Sequence, residues 1–265
     1  MTGPCGSSPT MAWVPMDEAG LSRDAFLGGR LMIWQPRQGY RAGVDPVLLA
    51  ASVPARAGQS VLELGCGVGV ASLCLAARVA GLELAGVEIQ ADYAALARRN
   101  AAAAGYALQV EIGDLTALPD SLRQRQFDHV IANPPYFQRD RSVPARDKGR
   151  ETALGEGTAL AAWVEVAARR VVDGGHVTFI QRAERLPELI GLMTARLGSV
   201  EVLPLAPRRG RAAQLVLIRG RKGGRAAFRL LDPVLMHAGE THNGDREDYT
   251  ALVHAVLRAG AALPF

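Results

Sequence analysis

Short apolar segments alternate with helical patterns from residue 60 onward, and this alternation constrains the fold more than any other feature of the chain. Residues 61–64 and 84–88 have the pattern of short buried strands, and residues 70–79 and 91–104, which follow them, have helical periodicity. A strand, a helix and a second strand at this spacing form a parallel pair with a helical crossover. The sequence therefore predicts an α/β fold, with a mostly parallel sheet covered by helices on both faces.

The order of elements changes in the C-terminal third of the chain. The alternation first continues through predicted strands at 108–112, 128–132 and 176–180, and predicted helices at 160–172, 185–197 and 249–258. Gly174 and Gly175 are expected to end the first of these helices. Residues 200–205 and 214–219 are predicted strands separated only by the basic turn 207–211, so we expect a C-terminal antiparallel hairpin there.

Two elements are predicted ahead of the first crossover unit. A hairpin is expected at 29–41 with Pro36 near its turn, and its first arm contains Leu31, Ile33 and Trp34. Asp45 is then expected to be the N-cap of a helix that has Pro46 at its first position.

The chain divides into a loose start and one domain. Residues 1–22 mix Gly, Pro and Ser with scattered apolar residues, and we expect them to be disordered. The predicted domain covers 23–265, with the hairpin and helix at 23–58, the core at 59–220 and a C-terminal extension at 221–265.

The composition excludes several classes of protein. The first 20 residues lack the basic start and apolar stretch of a secretory signal, and no apolar run is long enough to cross a bilayer. The three cysteines, Cys5, Cys66 and Cys74, are too few for a disulfide scaffold and lack metal-ligand spacing. We therefore expect a cytoplasmic protein with no membrane span and no metal, and we assume a monomer.

Arginine carries nearly all of the basic charge. The chain has a net charge of +4 and a pI of about 9.2, and its only lysines are Lys148 and Lys222. Arginine binds phosphate through a planar fork of donors, so this composition favours a nucleic-acid partner. A GC-rich genome alone would give the same preference for arginine.

A glycine-rich turn follows the first strand of the alternating region. The segment Val61-Leu-Glu-Leu-Gly-Cys-Gly-Val-Gly69 spaces its glycines as G-x-G-x-G, and Glu63 precedes them. A dinucleotide fingerprint needs a third glycine at the position of Val70. The turn lets a ligand approach the backbone, and the acidic neighbour favours a cationic ligand over a pyrophosphate. A turn of another α/β domain is the plainer interpretation.

Acidic residues follow the next two strands. Glu88 ends the second strand, where nucleotide-binding α/β folds place a carboxylate that accepts hydrogen bonds from both ribose hydroxyls. Asp114 ends the third strand and could accept the amino group of an adenine, with Leu115 offering backbone groups. Alone, each acid could equally be a surface side chain or the cap of a turn.

The most informative motif is Asn133-Pro134-Pro135-Tyr136, directly after the fourth strand. The two prolines fix the backbone and lack N–H groups, so the Asn133 side-chain oxygen and the Pro134 carbonyl are rigid acceptors. Tyr136 adds a flat face for stacking. Two acceptors and a ring suit a planar NH2 group on a base or an amide. An ordinary proline-rich loop is the alternative.

Together these motifs resemble those of the class I, Rossmann-like methyltransferases that act on planar amino groups. The segment from Arg41 to Asp45, followed by Pro46-Val-Leu-Leu-Ala50, is similar to the opening of the bacterial tRNA(Val) adenine-37 N6-methyltransferase family. The resemblance covers roughly residues 25–263. It implies S-adenosylmethionine as cofactor, a tRNA or other structured RNA as substrate, and N6 methylation of adenine.

The resemblance also implies which residues form the site. Its target contacts are Asn133, Pro134, Pro135 and Tyr136. Its cofactor contacts are Arg41, Asp45, Glu63, Gly65, Cys66, Gly67, Gly69, Glu88, Ile89, Asp114, Leu115 and Asn133.

Clustered arginines are the candidate RNA contacts. The selected residues are Phe137, Arg139, Arg141, Arg146, Arg150, Arg208 and Arg209, and a further cluster contains Arg219, Arg221, Lys222, Arg225 and Arg229. Such charges could follow the phosphates that flank a flipped adenine. Solvated surface side chains are the alternative.

Other functions remain open at this point. A glutamine amide of a release factor or the N2 group of guanine is also a planar NH2, and an inactive RNA-binding module is a third alternative. His237, Glu240, His242 and Asp245 are better explained as surface side chains than as metal ligands. His129 and His176 fall in predicted strands and are expected to be satisfied core or edge residues.

Overall fold

The computed structural model describes residues 18–136, 159–239 and 248–265. Within them, a large mixed sheet has the strand order β10-β8-β9-β7-β6-β3-β4-β5, and β11 also pairs with β8. Its strands are β3 (Ser60–Leu64), β4 (Glu83–Glu88), β5 (Leu108–Ile112), β6 (Phe127–Ala132), β7 (Val171–Arg182), β8 (Gly198–Ala206), β9 (Leu215–Arg221), β10 (Arg229–Leu230) and β11 (Val234–Leu235).

Strands β3 to β7 are parallel, as predicted, because helices connect them. The helices are α1 (Asp45–Ser52), α2 (Val70–Arg78), α3 (Ala91–Ala104), the short α4 (Asp120–Arg123), α5 (Leu160–Arg170), α6 (Leu186–Thr194) and α7 (Ala251–Ala259). None of the helices in these described ranges is long and apolar enough to cross a bilayer.

Helices cover both faces of the sheet, which confirms the predicted fold class. Neighbouring strand residues point to opposite faces: Ile180 belongs to the core under α1, α2 and α7, and Phe179 to the core under α5 and α6. Ile131 and Val130 on β6 divide in the same way. The apolar runs in these strands are continuous because both faces are buried.

The N-terminal hairpin differs from the prediction. Strand β1 (Leu21–Phe26) pairs with β2 (Leu31–Pro36), so the arm with Leu31 pairs with the segment before it and not with the one after Pro36. The turn needs Gly28, which has a φ of +66° and whose added Cβ would lie 2.7 Å from the Arg258 carbonyl oxygen. Leu21 and Ser22, expected in the loose start, belong to this hairpin.

The glycines expected to end a helix lie instead within β7. Helix α5 ends at Arg170, and β7 begins at Val171. Phe127 pairs with Val171 and His129 with His176, so Gly174 and Gly175 lie in a bulge between two paired stretches. The predicted helix was therefore two residues too long and the predicted strand too short.

The C-terminal hairpin is confirmed and decides where the basic turn lies. Strand β9 runs antiparallel to both β7 and β8. Because Arg182 pairs with Leu215, the turn between β8 and β9 lies at the edge where β7 ends. The short strands β10 and β11, which pair in parallel with β8, were not predicted.

Candidate active site

A cavity of about 540 Å³ opens where β3 and β6 lie side by side and their connections leave in opposite directions. In open α/β sheets, ligands bind at such a switch point, beyond the carboxyl ends of the strands. The loops after β3, β4, β5 and β6 line this cavity, together with residues 40–46 and Trp163. The motifs selected from the sequence therefore meet at one place.

The glycine-rich turn passes close to a tryptophan. Gly65 has a φ of +63°, and a Cβ there would lie 2.5 Å from the Trp163 ring. At Gly67 a Cβ would meet nothing within 4 Å, so this part of the turn leaves open space. Gly69 is the N-cap of α2 and has a left-handed conformation. Side chains at the first of these positions would displace Trp163 from the cavity wall.

Glu88 joins two of the loops. Its carboxylate accepts hydrogen bonds from the backbone N–H of Gly67 at 2.9 Å and of Gln90 at 2.9 Å. The side chain is buried, and burial raises its pKa above the ordinary value while the backbone donors lower it. The carboxylate predicted to accept ribose hydroxyls is thus held rigidly at the cavity wall.

Glu63 lies beneath the same turn. Its carboxylate accepts hydrogen bonds from the Ser72 backbone N–H at 3.0 Å and hydroxyl at 2.5 Å, and so caps the first turn of α2. Burial raises its pKa to about 7, with Ser72 opposing the shift. A cationic ligand in the cavity would favour the ionised form of this group.

Asp114 caps a turn, which was the alternative to its predicted role as an acceptor for an adenine amino group. Its carboxylate accepts hydrogen bonds from the Thr116 backbone N–H at 2.7 Å and hydroxyl at 2.8 Å, which caps a short 3₁₀ turn. It also lines the cavity, as do Leu115 and Ile89. Leu115 is buried, whereas Ile89 is 56% exposed, so Ile89 offers an apolar side chain at the cavity surface.

The side chain of Cys66 packs among apolar residues beside the cavity. It belongs to a small apolar cluster with Ala94, Ala97 and Val110, and burial raises its pKa well above the ordinary value. A Cβ at Gly86 would lie 2.8 Å from its sulfur. Cys66 therefore borders the cavity as a neutral, tightly packed side chain.

Three described residues outside the Asn-Pro-Pro-Tyr loop form side-chain hydrogen bonds with it. The Asn133 amide Nδ2 donates to the Tyr40 hydroxyl at 3.5 Å, and the buried Gln181 amide donates to the Pro134 carbonyl at 3.4 Å. The Tyr136 hydroxyl donates to the Asp45 carboxylate. The Pro134 carbonyl thus has one donor already and keeps a second lone pair for another.

Asp45, at the end of the segment that begins at Arg41, supports this loop by accepting the Tyr136 hydrogen bond, which the sequence did not predict. Asp45 is the first residue of α1 and follows the actual N-cap, Val44, so the expected N-cap role is wrong. Arg41 also lines the cavity, but its guanidinium forms an ion pair with Asp24 at 2.8 Å. The positions of the Arg41 and Asp45 side chains are therefore set by contacts with other parts of the protein and not by helix capping.

Aromatic residues of the cavity wall were missed as site residues. Tyr40 is 39% exposed, its carbonyl accepts the Tyr93 hydroxyl at 3.1 Å, and burial of its hydroxyl raises its pKa. Trp163 lies on α5, where its helical spacing matches that of ordinary core residues. Only the position of Tyr40 beside Arg41 could have indicated its place.

The predicted RNA contacts divide into three groups. The segment with Phe137, Arg139, Arg141, Arg146 and Arg150 lies outside the described residues. Arg208 does not fit the prediction, because its guanidinium pairs with Asp248 and its side chain is only 12% exposed. Arg209 and its neighbour Arg211 are exposed, at the same edge of the sheet as the cavity.

The second basic cluster lies at the opposite edge of the sheet, because β9 ends there. Most of its side chains are engaged within the protein: Arg219 and Arg229 with Glu201, Arg221 with the Gly174 carbonyl and Lys222 with the Val171 carbonyl. Arg225 is exposed. The prediction that these residues follow the phosphates beside a flipped adenine therefore has no support from their position, which is at the edge away from the cavity.

The histidines have local partners. His237 pairs with Asp248 at 2.6 Å, and no cluster suited to a metal ion occurs among the described residues, which exclude Glu240, His242 and Asp245. The His129 and His176 rings stack 5.8 Å apart, and burial lowers both pKa values to about 4. His129 bonds Gln59 through Nε2, but its Nδ1 has no hydrogen-bond partner within the described ranges, so this residue is only half satisfied.

Comparisons with known proteins agree with this geometry. Residues 42–204 match the methyltransferase small domain family. A tRNA1(Val) (adenine(37)-N6)-methyltransferase of Actinobacillus succinogenes is 31% identical over 200 residues, which are 74% of this chain and 82% of that protein. One of Cronobacter sakazakii is 32% identical over 183 residues, covering 67% and 71%.

Solved structures show a similar fold. A protein of Agrobacterium tumefaciens described as a predicted O-methyltransferase superposes with a TM-score of 0.63 at 27% identity, over 83% of this chain and 98% of that one. The T. thermophilus 16S rRNA N2 G1207 methyltransferase, in complex with AdoMet and guanosine, gives a TM-score of 0.53 at 20% identity, over 76% and 50%.

Proposed function

Because the chain belongs to the methyltransferase small domain family and is an S-adenosylmethionine-dependent methyltransferase, we propose that it methylates the N6 amino group of an adenine in tRNA. The observation that carries this proposal is the Asn133–Tyr136 loop, which lines the same cavity as the glycine-rich turn and Glu88, the acid that ends β4. Relatives named for adenine-37 of tRNA1(Val) support that nucleotide as the first to test. A tRNA substrate also favours the cytoplasm as the place of action.

The cavity suits a cofactor that is cationic and carries a nucleoside. Among the residues that the structure describes, four acidic ones line it, Asp45, Glu63, Glu88 and Asp114, against one arginine, which is already paired with Asp24. In the proposed arrangement Glu88 accepts the ribose hydroxyls, Asp114 the adenine amino group, and Ile89 and Leu115 contact the adenine ring. S-adenosylmethionine supplies, when bound, an electrophilic methyl group.

The loop acts on the amino group of the target. The lone pair of an exocyclic NH2 is delocalised into the ring, so the nitrogen is a poor nucleophile. The Asn133 side-chain oxygen and the Pro134 carbonyl accept its two N–H bonds, which places negative dipoles beside the nitrogen and turns its lone pair toward the cofactor side. Catalysis then depends on positioning and electrostatic stabilisation.

A nucleoside analysis tests the substrate class. The purified protein is incubated with tritiated S-adenosylmethionine and, separately, total tRNA, DNA or a release factor, and labelled nucleosides are identified by mass spectrometry. We expect N6-methyladenosine from tRNA. Label in N2-methylguanosine or in a glutamine of the release factor would replace the proposal with one of the two alternatives on planar NH2 groups.

Exposed arginines at the sheet edge that carries the cavity provide a second test. We expect replacement of Arg209 and Arg211 by alanine to raise the KM for tRNA by about 3-fold to 30-fold, since each exposed charge contributes up to about 1 kcal/mol. The dependence of the logarithm of KM on that of salt concentration should also flatten by about one for each lost phosphate contact.

Arg225 provides the control for charge alone. It is exposed like the two target residues but lies at the opposite edge of the sheet. Arg225→Ala should leave both the KM and its salt dependence unchanged. If Arg225→Ala changed the KM as much, per charge removed, as the replacement of Arg209 and Arg211, the sheet edge with the carboxyl ends of the parallel strands would not be the RNA-binding face.

A further inference from the structure

The loop that holds the target has a side-chain partner far away in the sequence. The Tyr136 hydroxyl donates a hydrogen bond to the Asp45 carboxylate, across 91 positions of the chain. Both residues are partly buried and both line the cavity. This contact joins the end of the loop to the beginning of α1.

Asp45 is rigidly supported. The rest of α1, from Pro46 to Ser52, is buried. The segment just before it is fixed by Gln35, whose amide oxygen accepts the Ala42 backbone N–H at 2.7 Å. A carboxylate in the first turn of a helix is also favoured by the exposed N–H groups there. Asp45 can therefore define the position of a partner more precisely than a flexible surface acid.

A second group contacts the ring of the same tyrosine. The guanidinium carbon of Arg182, at the end of β7, lies 5.4 Å from the Tyr136 ring centroid. A cation at this distance is attracted to the ring face. The ring is thus restrained at its hydroxyl by Asp45 and on one face by Arg182, and the face turned away from Arg182 is the one left for a base.

We propose that Asp45 is a positioning residue for methyl transfer: it holds the Tyr136 ring in the orientation that stacks the target base, and it does not bind the cofactor. This rests on the proposed function for the role of the loop. It replaces the cofactor contact that the sequence predicted for Asp45. The role belongs to the side-chain oxygen, because the Tyr136 hydroxyl needs only an acceptor.

A double-mutant cycle tests the proposal. We expect Asp45→Ala to lower kcat by about 10-fold to 100-fold through misplacement of the ring, and to change the Kd for S-adenosylmethionine less than 2-fold. Tyr136→Phe removes the same hydrogen bond, so the two substitutions together should be no worse than the more severe single one. Asp45→Asn, whose amide oxygen still accepts, should stay within about 3-fold of the original kcat.

The controls separate this role from structural damage. Asp120→Ala removes an exposed acid on α4 and should leave kcat unchanged. Melting temperatures identify any variant that is destabilised, and Asp45→Asn keeps the test decisive if Asp45→Ala does not fold. The cycle uses whichever acceptor the unsubstituted protein methylates, so a different substrate class would overturn the proposed function without affecting the cycle. Additive losses, or a loss of cofactor affinity as large as the loss of kcat, would overturn the positioning role.

Discussion

Replacing Asn133 with alanine lowers the turnover number by about 10²-fold to 10³-fold, the effect of removing one preorganised hydrogen-bonding group from the reacting centre. The amide oxygen of Asn133 is the side-chain acceptor that the proposed mechanism assigns to the target amine, and no proton-transfer group in line with that amine replaces it. The loss should appear in single-turnover rates at saturating tRNA and cofactor. It concerns the chemical step, so raising either concentration should not restore the rate.

The fold should survive this substitution. The Asn133 side chain is half-buried, and its hydrogen bond to the Tyr40 hydroxyl is long, at 3.5 Å. The melting temperature should therefore change little, and cofactor affinity should fall far less than turnover. Asn133→Gln is the matched variant, since it keeps the amide but moves it outward, and it too should be slow. Near-normal rates in either variant would disprove the proposed role of the amide oxygen.

Replacing Glu88 with alanine weakens S-adenosylmethionine binding by about 10-fold to 150-fold, which corresponds to about 1.5–3 kcal/mol for lost hydrogen bonds to a charged group. Two effects contribute. The ribose loses its acceptor, and the N–H groups of Gly67 and Gln90 lose the carboxylate that holds both loops. Isothermal calorimetry with the cofactor alone measures the change without any RNA.

Another glutamate on the same strand provides the control. Glu83 begins β4 at the opposite edge of the sheet, and its side chain is 72% exposed. Glu83→Ala should leave cofactor affinity unchanged. Glu88→Gln keeps the side-chain volume and one acceptor oxygen, so its affinity should fall between those of the unsubstituted protein and Glu88→Ala. If Glu88→Ala changed the Kd for S-adenosylmethionine by less than 2-fold, the proposed contact between Glu88 and the ribose would be wrong.

Much of the site followed from the sequence because its motifs are local. A glycine-rich turn, an acid and an Asn-Pro-Pro-Tyr loop each lie at or directly after the end of a predicted strand, at Gly65, Glu88 and Asn133. The carboxyl ends of parallel strands meet at one edge of a sheet, so residues at these positions must lie close together. Predicting the strands and their direction was therefore enough to bring these three motifs to one cavity, but not to predict Tyr40 and Trp163 in its wall.

Two of the errors lie in the segment before the first crossover unit. The strand that contains Leu31 pairs with the segment before it, because the turn of the hairpin forms at Gly28 and not at Pro36. Asp45 has the local pattern of an N-cap, but its acceptor is used by Tyr136. In both cases the local pattern was compatible with two arrangements, and the choice was made by a contact that local spacing does not encode.

The sequence by itself determined the fold class, the order of the main strands and helices from β3 to β9 and the identity of the motifs at the strand ends, because periodicity, glycine and proline act within a few residues. Only the tertiary structure decided which charges lie at the sheet edge that carries the cavity. The reversal of β9 between β7 and β8 places Arg209 at this edge and Arg225 at the opposite one, and Asp248 neutralises Arg208. The order of charged residues along the chain is the same in every fold. The electrostatic potential at a site depends on the distances between those charges, which only folding determines.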